Sequence, residues 1–74
     1  MLKKEVRFLK GYGKEIKKLR QGRDLSQTEF ARLLGVSPSA ISQYELEERV
    51  PRDETKIKIA NFFNKKVSDI FFRG

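Results

Sequence analysis

The sequence predicts an all-α domain, built as a compact bundle of five helices. Apolar residues recur mostly three or four positions apart, which places them on one face of successive short helices. Glycine, serine and proline stand between these stretches, at positions typical of helix caps and tight turns. A chain of 74 residues has room for one such domain, whose core would be small.

Residues 1–12 are predicted to form a basic N-terminal arm, followed by a single domain at 13–74. In the arm, Val6 and Leu9 have helical spacing, whereas Val6 and Phe8 alternate as they would in a strand. The sequence therefore leaves the conformation of the arm open.

The first helix is expected between about Gly13 and Gln21, with Ile16 and Leu19 facing the core. Gly22 follows at the position where glycine commonly caps a helix C-terminus.

The second helix is predicted to begin with a capping box, Ser26-Gln27-Thr28-Glu29. In this motif the serine accepts from the backbone of Glu29, and the glutamate reaches back to the serine backbone. Gly35 is expected to end the helix in a left-handed conformation. The predicted buried stripe of the helix comprises Phe30, Ala31, Leu33 and Leu34.

The third helix is expected to have Ser37 as its cap and Pro38 at its first position, where a missing N–H costs nothing. Ile41 and Tyr44 would face the core, while Val36 fills the preceding turn. The residues left pointing away from the core are Pro38, Ser39, Ser42 and Gln43.

A loop from Leu46 to Arg52, fixed by Pro51, is expected to lead to a fourth helix that Asp53 caps. That helix would run to about Phe63, with Ile57, Ile59, Ala60 and Phe63 as its apolar positions. A short fifth helix is predicted over about Val67 to Phe72.

Composition excludes several classes of function. The chain has neither cysteine nor histidine, so disulfides, most zinc sites and histidine-based catalysis are not expected. We see no nucleophile–base arrangement and no phosphate-cradling glycine loop, so we predict that the chain is not an enzyme and needs no cofactor. No apolar run is long enough to span a membrane and no signal peptide is evident, so a cytoplasmic location is expected.

The net charge of +7 is unevenly distributed along the chain. Residues 1–24 carry nine Lys or Arg against three acids, and residues 51–74 carry six against three. Residues 25–50 carry only two against four. This pattern indicates that the basic flanks hold phosphates while the middle of the chain makes contacts of another kind. The alternative is that the lysines only keep the surface soluble.

The stretch LSQTEFARLLGVSPSAISQYE resembles the helix-turn-helix of Xre-type, Cro-like and phage-repressor-like regulators. The shared features are Gln27, Ala31, the Gly-Val-Ser turn at 35–37, Ile41 and the aromatic-Glu pair at 44–45. The later stretch VPRDETKIKIANFF resembles the fourth helix of the same family. The resemblance implies a five-helix bundle of the phage-repressor-like DNA-binding type.

The resemblance also implies how individual residues act. The third helix would enter the major groove of DNA, and an ion pair between Arg20 and Glu45 would orient it. The implied base contacts are Pro38, Ser39, Ser42 and Gln43. The implied contacts to phosphate or the minor groove are Gln27, Ser37, Tyr44, Arg49 and Arg52. The residue chemistry agrees, since glutamine can bond N6 and N7 of adenine together and serine hydroxyls suit several bases.

The chain departs from the family after the third helix. Family members often have Arg-Gly-Lys there, whereas this chain has Leu46-Glu47-Glu48. The missing glycine leaves the geometry of the loop open, and two acids should repel a phosphate at this place.

The function expected is a sequence-specific regulator of transcription, a repressor in particular, that binds double-stranded DNA as a homodimer. The alternative is an antitoxin or a protein-interaction subunit on the same scaffold, which the acidic end of the third helix favours slightly. Aromatic residues near the C-terminus exceed the evident need of a small core, and they predict a dimer surface; the alternative is internal packing of the fifth helix on the first. These aromatic residues are Phe62, Phe71 and Phe72.

Overall fold

A computed structural model describes residues 11–71, and within this range the chain forms five helices and no strand, which confirms the all-α fold. α3 packs against α1 and α2, α4 contacts α2, and α5 returns to contact both α4 and α1. The helices are α1 (Tyr12–Gly22), α2 (Gln27–Leu34), α3 (Pro38–Glu45), α4 (Asp53–Phe62) and α5 (Val67–Phe71).

Each helix contributes at least one large, fully buried side chain to a single core, and an isoleucine or phenylalanine represents each of them. These are Ile16, Phe30, Ile41, Ile59 and Ile70, all with no exposed surface. Burying a side chain of this size stabilises the fold by about 1.5–3 kcal/mol. The five helices therefore depend on one another, because none buries its apolar face alone.

The helix caps mostly follow the sequence rules. The capping box is present, with the Ser26 hydroxyl accepting from the Glu29 N–H at 3.0 Å and the Glu29 carboxylate accepting from the Ser26 N–H at 3.0 Å. Gly35 ends α2 with φ 76°, and the Ser37 side chain accepts from the backbone N–H of Ala40 ahead of α3. Asp53, however, is the first residue of α4 and the cap position belongs to Arg52, while Gly22 is the last residue of α1.

One leucine and one isoleucine that the sequence predicts to face the core are instead about half exposed to solvent. Leu33 is 53% exposed and Ile57 is 50% exposed. At 100° per residue, Leu33 lies about 60° outside the arc that the buried face of α2 spans. By the same geometry, Ile57 lies about 160° around α4 from the fully buried Ile59.

The predicted aromatic dimer surface is wrong for Phe71. Its side chain has no exposed surface, and its ring lies 5.6 Å from that of Tyr12. The internal packing of α5 on α1 is therefore what the structure shows. Phe62 is half-buried with its ring 5.4 Å from Phe30, while Phe72 lies outside the described residues.

Tyr12 also bears on the boundary predicted after residue 12. It is the first residue of α1 and is only 2% exposed, so it packs with the domain. Residues 1–10 of the predicted arm lie outside the described residues.

The capping box makes a contribution to stability that depends on pH. Hydrogen bonding from the backbone of Ser26, and then from its side chain, lowers the pKa of the Glu29 carboxyl below its usual 4.5. A lowered folded-state pKa stabilises the fold above the unfolded-state pKa, and this contribution is lost as the pH falls through the folded-state value. Glu29→Gln should therefore destabilise the domain at neutral pH, with a difference from wild type that disappears on acidification.

Urea unfolding of both proteins at a series of pH values would measure this difference. Glu48→Gln removes the same charge from an exposed loop position, and it reports the effect of net charge alone. A difference between wild type and Glu29→Gln that stays constant from about pH 7 to pH 3 would contradict the carboxylate's role in the cap.

Candidate nucleic-acid interface

α3 presents an uncharged face away from the core. Ala40, Ile41 and Tyr44 are buried, which directs the rest of the helix outward. Pro38 and Ser39 are exposed and Ser42 and Gln43 are half-buried. The four residues predicted as base contacts therefore share the outward side of one helix.

An ion pair joins the end of α3 to α1, as the family resemblance implies. Arg20 Nε lies 2.7 Å from Glu45 Oε2, and Arg20 Nη2 donates to Glu45 Oε1 at 3.1 Å. The two side chains are only 9% and 4% exposed. Arg20 Nη1 also donates to the carbonyl of Leu25 at 2.7 Å, so the same guanidinium holds the turn that leads to α2.

Gln27, predicted to contact a phosphate, belongs to this network. Its Nε2 donates to Glu45 Oε1 at 3.0 Å from the first turn of α2. The amide thereby ties α2 to the end of α3. The phosphate contact of Gln27 stays a prediction, and no sequence pattern indicates its bond to Glu45.

The backbone of α1 lies directly against the backbone at the end of α3. A Cβ atom added to Gly13 would stand 2.7 Å from the carbonyl oxygen of Tyr44 and 2.8 Å from the carbonyl carbon of Glu45. No side chain other than hydrogen fits in that space without moving one of the helices. This close approach accounts for the glycine at position 13, which the sequence analysis places only at the start of the first helix.

The departure from the family pattern at 46–48 has a structural role. Glu47 takes the left-handed conformation, with φ 60°, at the place where relatives often have glycine. Its Oε2 accepts from the backbone N–H of Gly13 at 2.9 Å. A carboxylate at a helix N-terminus satisfies a free N–H and suits the helix dipole. Glu47 is thus bound to α1, which the sequence did not predict.

Tyr12 fixes the loop that follows α3. Its hydroxyl donates to the carbonyl of Arg49 at 2.9 Å. Burial raises the pKa of the Tyr12 phenol, and the negative charge of Glu47 raises it further, so the hydroxyl keeps its proton as a donor. The side chain of Arg49 then extends over the ring of Tyr44, at 5.7 Å, and Nη1 donates to Gln43 Oε1 at 3.3 Å.

A polar concavity of about 620 Å³ lies beside α3. It brings together four of the five residues predicted to contact phosphate or the minor groove: Ser37, Tyr44, Arg49 and Arg52. Lys58, which the sequence did not single out, lines it too, against one acid, Glu54. Three cations and three hydroxyl side chains, the third from Thr55, make a surface beside the start of α4 that is suited to an anion.

Residues 11–71 contain no cluster of acidic side chains that could hold a metal ion. In the same part of the chain, no helix has the length and apolar character needed to cross a membrane.

Comparison with known proteins gives a family match and a partial relative. The family model described as Helix-turn-helix matches residues 16–70. Antitoxin PezA of Streptococcus pneumoniae serotype 4 is 54% identical over 33 residues, which is 45% of this chain and 21% of PezA. The chain thus spans about a fifth of the length of that relative. No solved structure gives a significant match.

The contact between α1 and α3 can be tested with two glycines of the same helix. Gly13→Ala places a methyl group against the α3 backbone, so we expect a loss of about 1–3 kcal/mol in the free energy of unfolding. In Gly22→Ala the added Cβ meets nothing within 4 Å, so this control should be neutral or slightly stabilising. Chemical denaturation of both variants measures the difference, and equal stabilities would show that α1 and α3 are not held this closely.

Proposed function

We propose, from the premise that the chain belongs to the helix-turn-helix family of DNA-binding regulators, that it recognises a specific double-stranded DNA sequence through α3 and acts as a homodimeric repressor. The observation that carries this proposal is the uncharged outward face of α3 beside a cationic concavity. Contacts to base edges specify a sequence, whereas contacts to phosphates position the protein and supply affinity. In this proposal the face of α3 contacts the bases and the concavity contacts the phosphates.

In the proposed complex, the N-terminal half of α3 lies in the major groove. Ser39, Ser42 and Gln43 reach base edges, and Pro38 contributes apolar contact. The hydroxyls of Ser37 and Tyr44 and the side chain of Arg52 bind the phosphates that flank the groove. Gln27, at the start of α2, holds the phosphate on the other side, since free N–H groups there favour an anion.

We call the outward face of α3, formed by Pro38, Ser39, Ser42 and Gln43, the reading surface. We propose a homodimer because a helix of eight residues contacts few bases by itself. Two copies related by a twofold axis would read half-sites about 34 Å apart, or a multiple of that, on a nearly palindromic operator. The affinity should fall about 10³-fold or more between about 50 and 200 mM salt.

Selection of bound sequences from random DNA tests this proposal. We expect two inverted half-sites from wild type. Arg52→Gln should weaken binding to all sequences alike and reduce the slope of the salt dependence by about one, because it removes a phosphate contact.

Lys65→Gln provides the matched control, since it removes a cation that does not line the concavity. Random recovery of sequences by wild-type protein would exclude the proposed function. Equal effects of Arg52→Gln and Lys65→Gln would remove Arg52 from the phosphate contacts.

The match to PezA favours a second candidate, an antitoxin that neutralises a protein. The groove between α2 and α4 offers a surface for such a partner. Leu33 and Phe62 form its apolar part, Arg32 and Lys58 supply positive charge, and no acid lines it. An acidic segment with apolar side chains would fit this chemistry.

Co-expression with the protein encoded next to this gene tests the second candidate. An antitoxin should abolish the growth arrest that the neighbouring protein causes, and Leu33→Asp should lose this protection while keeping DNA selectivity. Thr28→Asp adds the same charge to an exposed position of α2 that does not line the groove. Absence of any protection by wild type would exclude the antitoxin, and equal protection by all three proteins would exclude this groove.

A further inference from the structure

We infer that Arg49 determines the base preference of Gln43 and directs it to guanine rather than adenine. This inference rests on the proposed function, because it concerns which base the outward face of α3 reads. It starts from the contact between Arg49 Nη1 and Gln43 Oε1, which are 3.3 Å apart at the C-terminal end of that face.

The chemistry of the pair fixes the orientation of the amide. A guanidinium has only donors, so the atom of Gln43 that faces Arg49 has to be the carbonyl oxygen. The NH₂ group of Gln43 is then the part of the amide turned away from Arg49. Gln43 therefore presents a donor to whatever lies beyond it.

Adenine and guanine present different hydrogen-bonding groups to the pair formed by Gln43 and Arg49. Adenine shows an acceptor, N7, beside a donor, the N6 amino group, so it needs the acceptor oxygen of the glutamine as well as its NH₂. In this chain an N6 amino group approaching Oε1 would meet the N–H groups of Arg49. Guanine shows two acceptors, N7 and O6, which the NH₂ of Gln43 and a remaining N–H of Arg49 can both satisfy.

Arg49 is held in place by contacts that do not involve DNA. The Tyr12 hydroxyl binds its carbonyl, and the backbone N–H of Glu48 donates to the carbonyl of Gln43 at 2.9 Å, which folds the loop back onto α3. The guanidinium also lies over the Tyr44 ring. The donor pair is thus formed before DNA binds, and less ordering is needed on binding.

This assignment separates Arg49 from Arg52, although both line the same concavity. A phosphate contact carries no sequence information, so its loss weakens binding to every sequence equally. An arginine that sets the base preference of its neighbour changes the selected sequence at one position of each half-site.

Arg49→Met is the variant of choice, because it keeps an unbranched apolar stem against Tyr44 and removes every hydrogen-bond donor of the side chain. Selection from random DNA should give guanine at one position per half-site for wild type and a shift to adenine at the same position for Arg49→Met. We expect a change of at least about fivefold in the guanine-to-adenine affinity ratio. Gln43→Ala should lose the preference, and adding Arg49→Met to it should change nothing further at that position.

Titration of wild-type protein with two duplexes that differ only by guanine or adenine at this position gives a readout that needs no variant. Stronger binding to adenine would overturn the inference, as would an Arg49→Met protein that is weaker on all sequences with guanine still selected. Wild-type protein without any sequence preference would instead remove the proposed function itself. Arg52→Gln, which should leave the selected base unchanged, is the control for loss of a nearby cation.

Discussion

The contact between α1 and the end of α3 is the constraint on which the reading surface depends. Glu45 is held by its side chain, through Arg20 and Gln27, and its backbone lies against Gly13. Removing one partner of a buried ion pair costs about 3–5 kcal/mol, because the other charge is left unpaired, whereas the pair itself adds little net stability. The main effect of the network is therefore to set the angle of α3. A small rotation of this helix would move its outward side chains away from the bases they would read.

A second set of contacts joins α1 to the loop after α3, where this chain has Glu47 at the place of the glycine common in relatives. Glu47 adopts the left-handed conformation, which is unfavourable for any residue that carries a Cβ atom. Its carboxylate binds the N-terminus of α1. The charge expected to repel phosphate is thereby used within the protein. Tyr12 adds a bond from the same turn of α1 to Arg49. The first residues of α1 consequently position the loop beside α3 as well as the helix itself.

The sequence predicted features that depend on near neighbours and missed those that depend on distant ones. The capping box at Ser26, the left-handed Gly35 and the start of α3 follow from local hydrogen bonding, and each is present. Burial requires knowledge of which helices pack together, so the exposure of Leu33 was not foreseen. The sequence places Tyr12 in the arm, so it does not show that Tyr12 and Phe71 pack together in the core. The family pattern supplied the pairing of Arg20 with Glu45, which no periodicity indicates.

The meaning of a residue on the reading face depends on its neighbours in the same way. A glutamine alone offers a donor and an acceptor, which suits adenine, and the sequence could be interpreted only in those terms. In the folded chain Arg49, six residues further on, occupies the acceptor, and Tyr12 from another helix holds the backbone of that arginine. A recognition code assigned residue by residue along α3 would omit both. The specificity proposed for this domain is therefore a property of three helix and loop segments held together, with the uncharged face of α3 as its visible part.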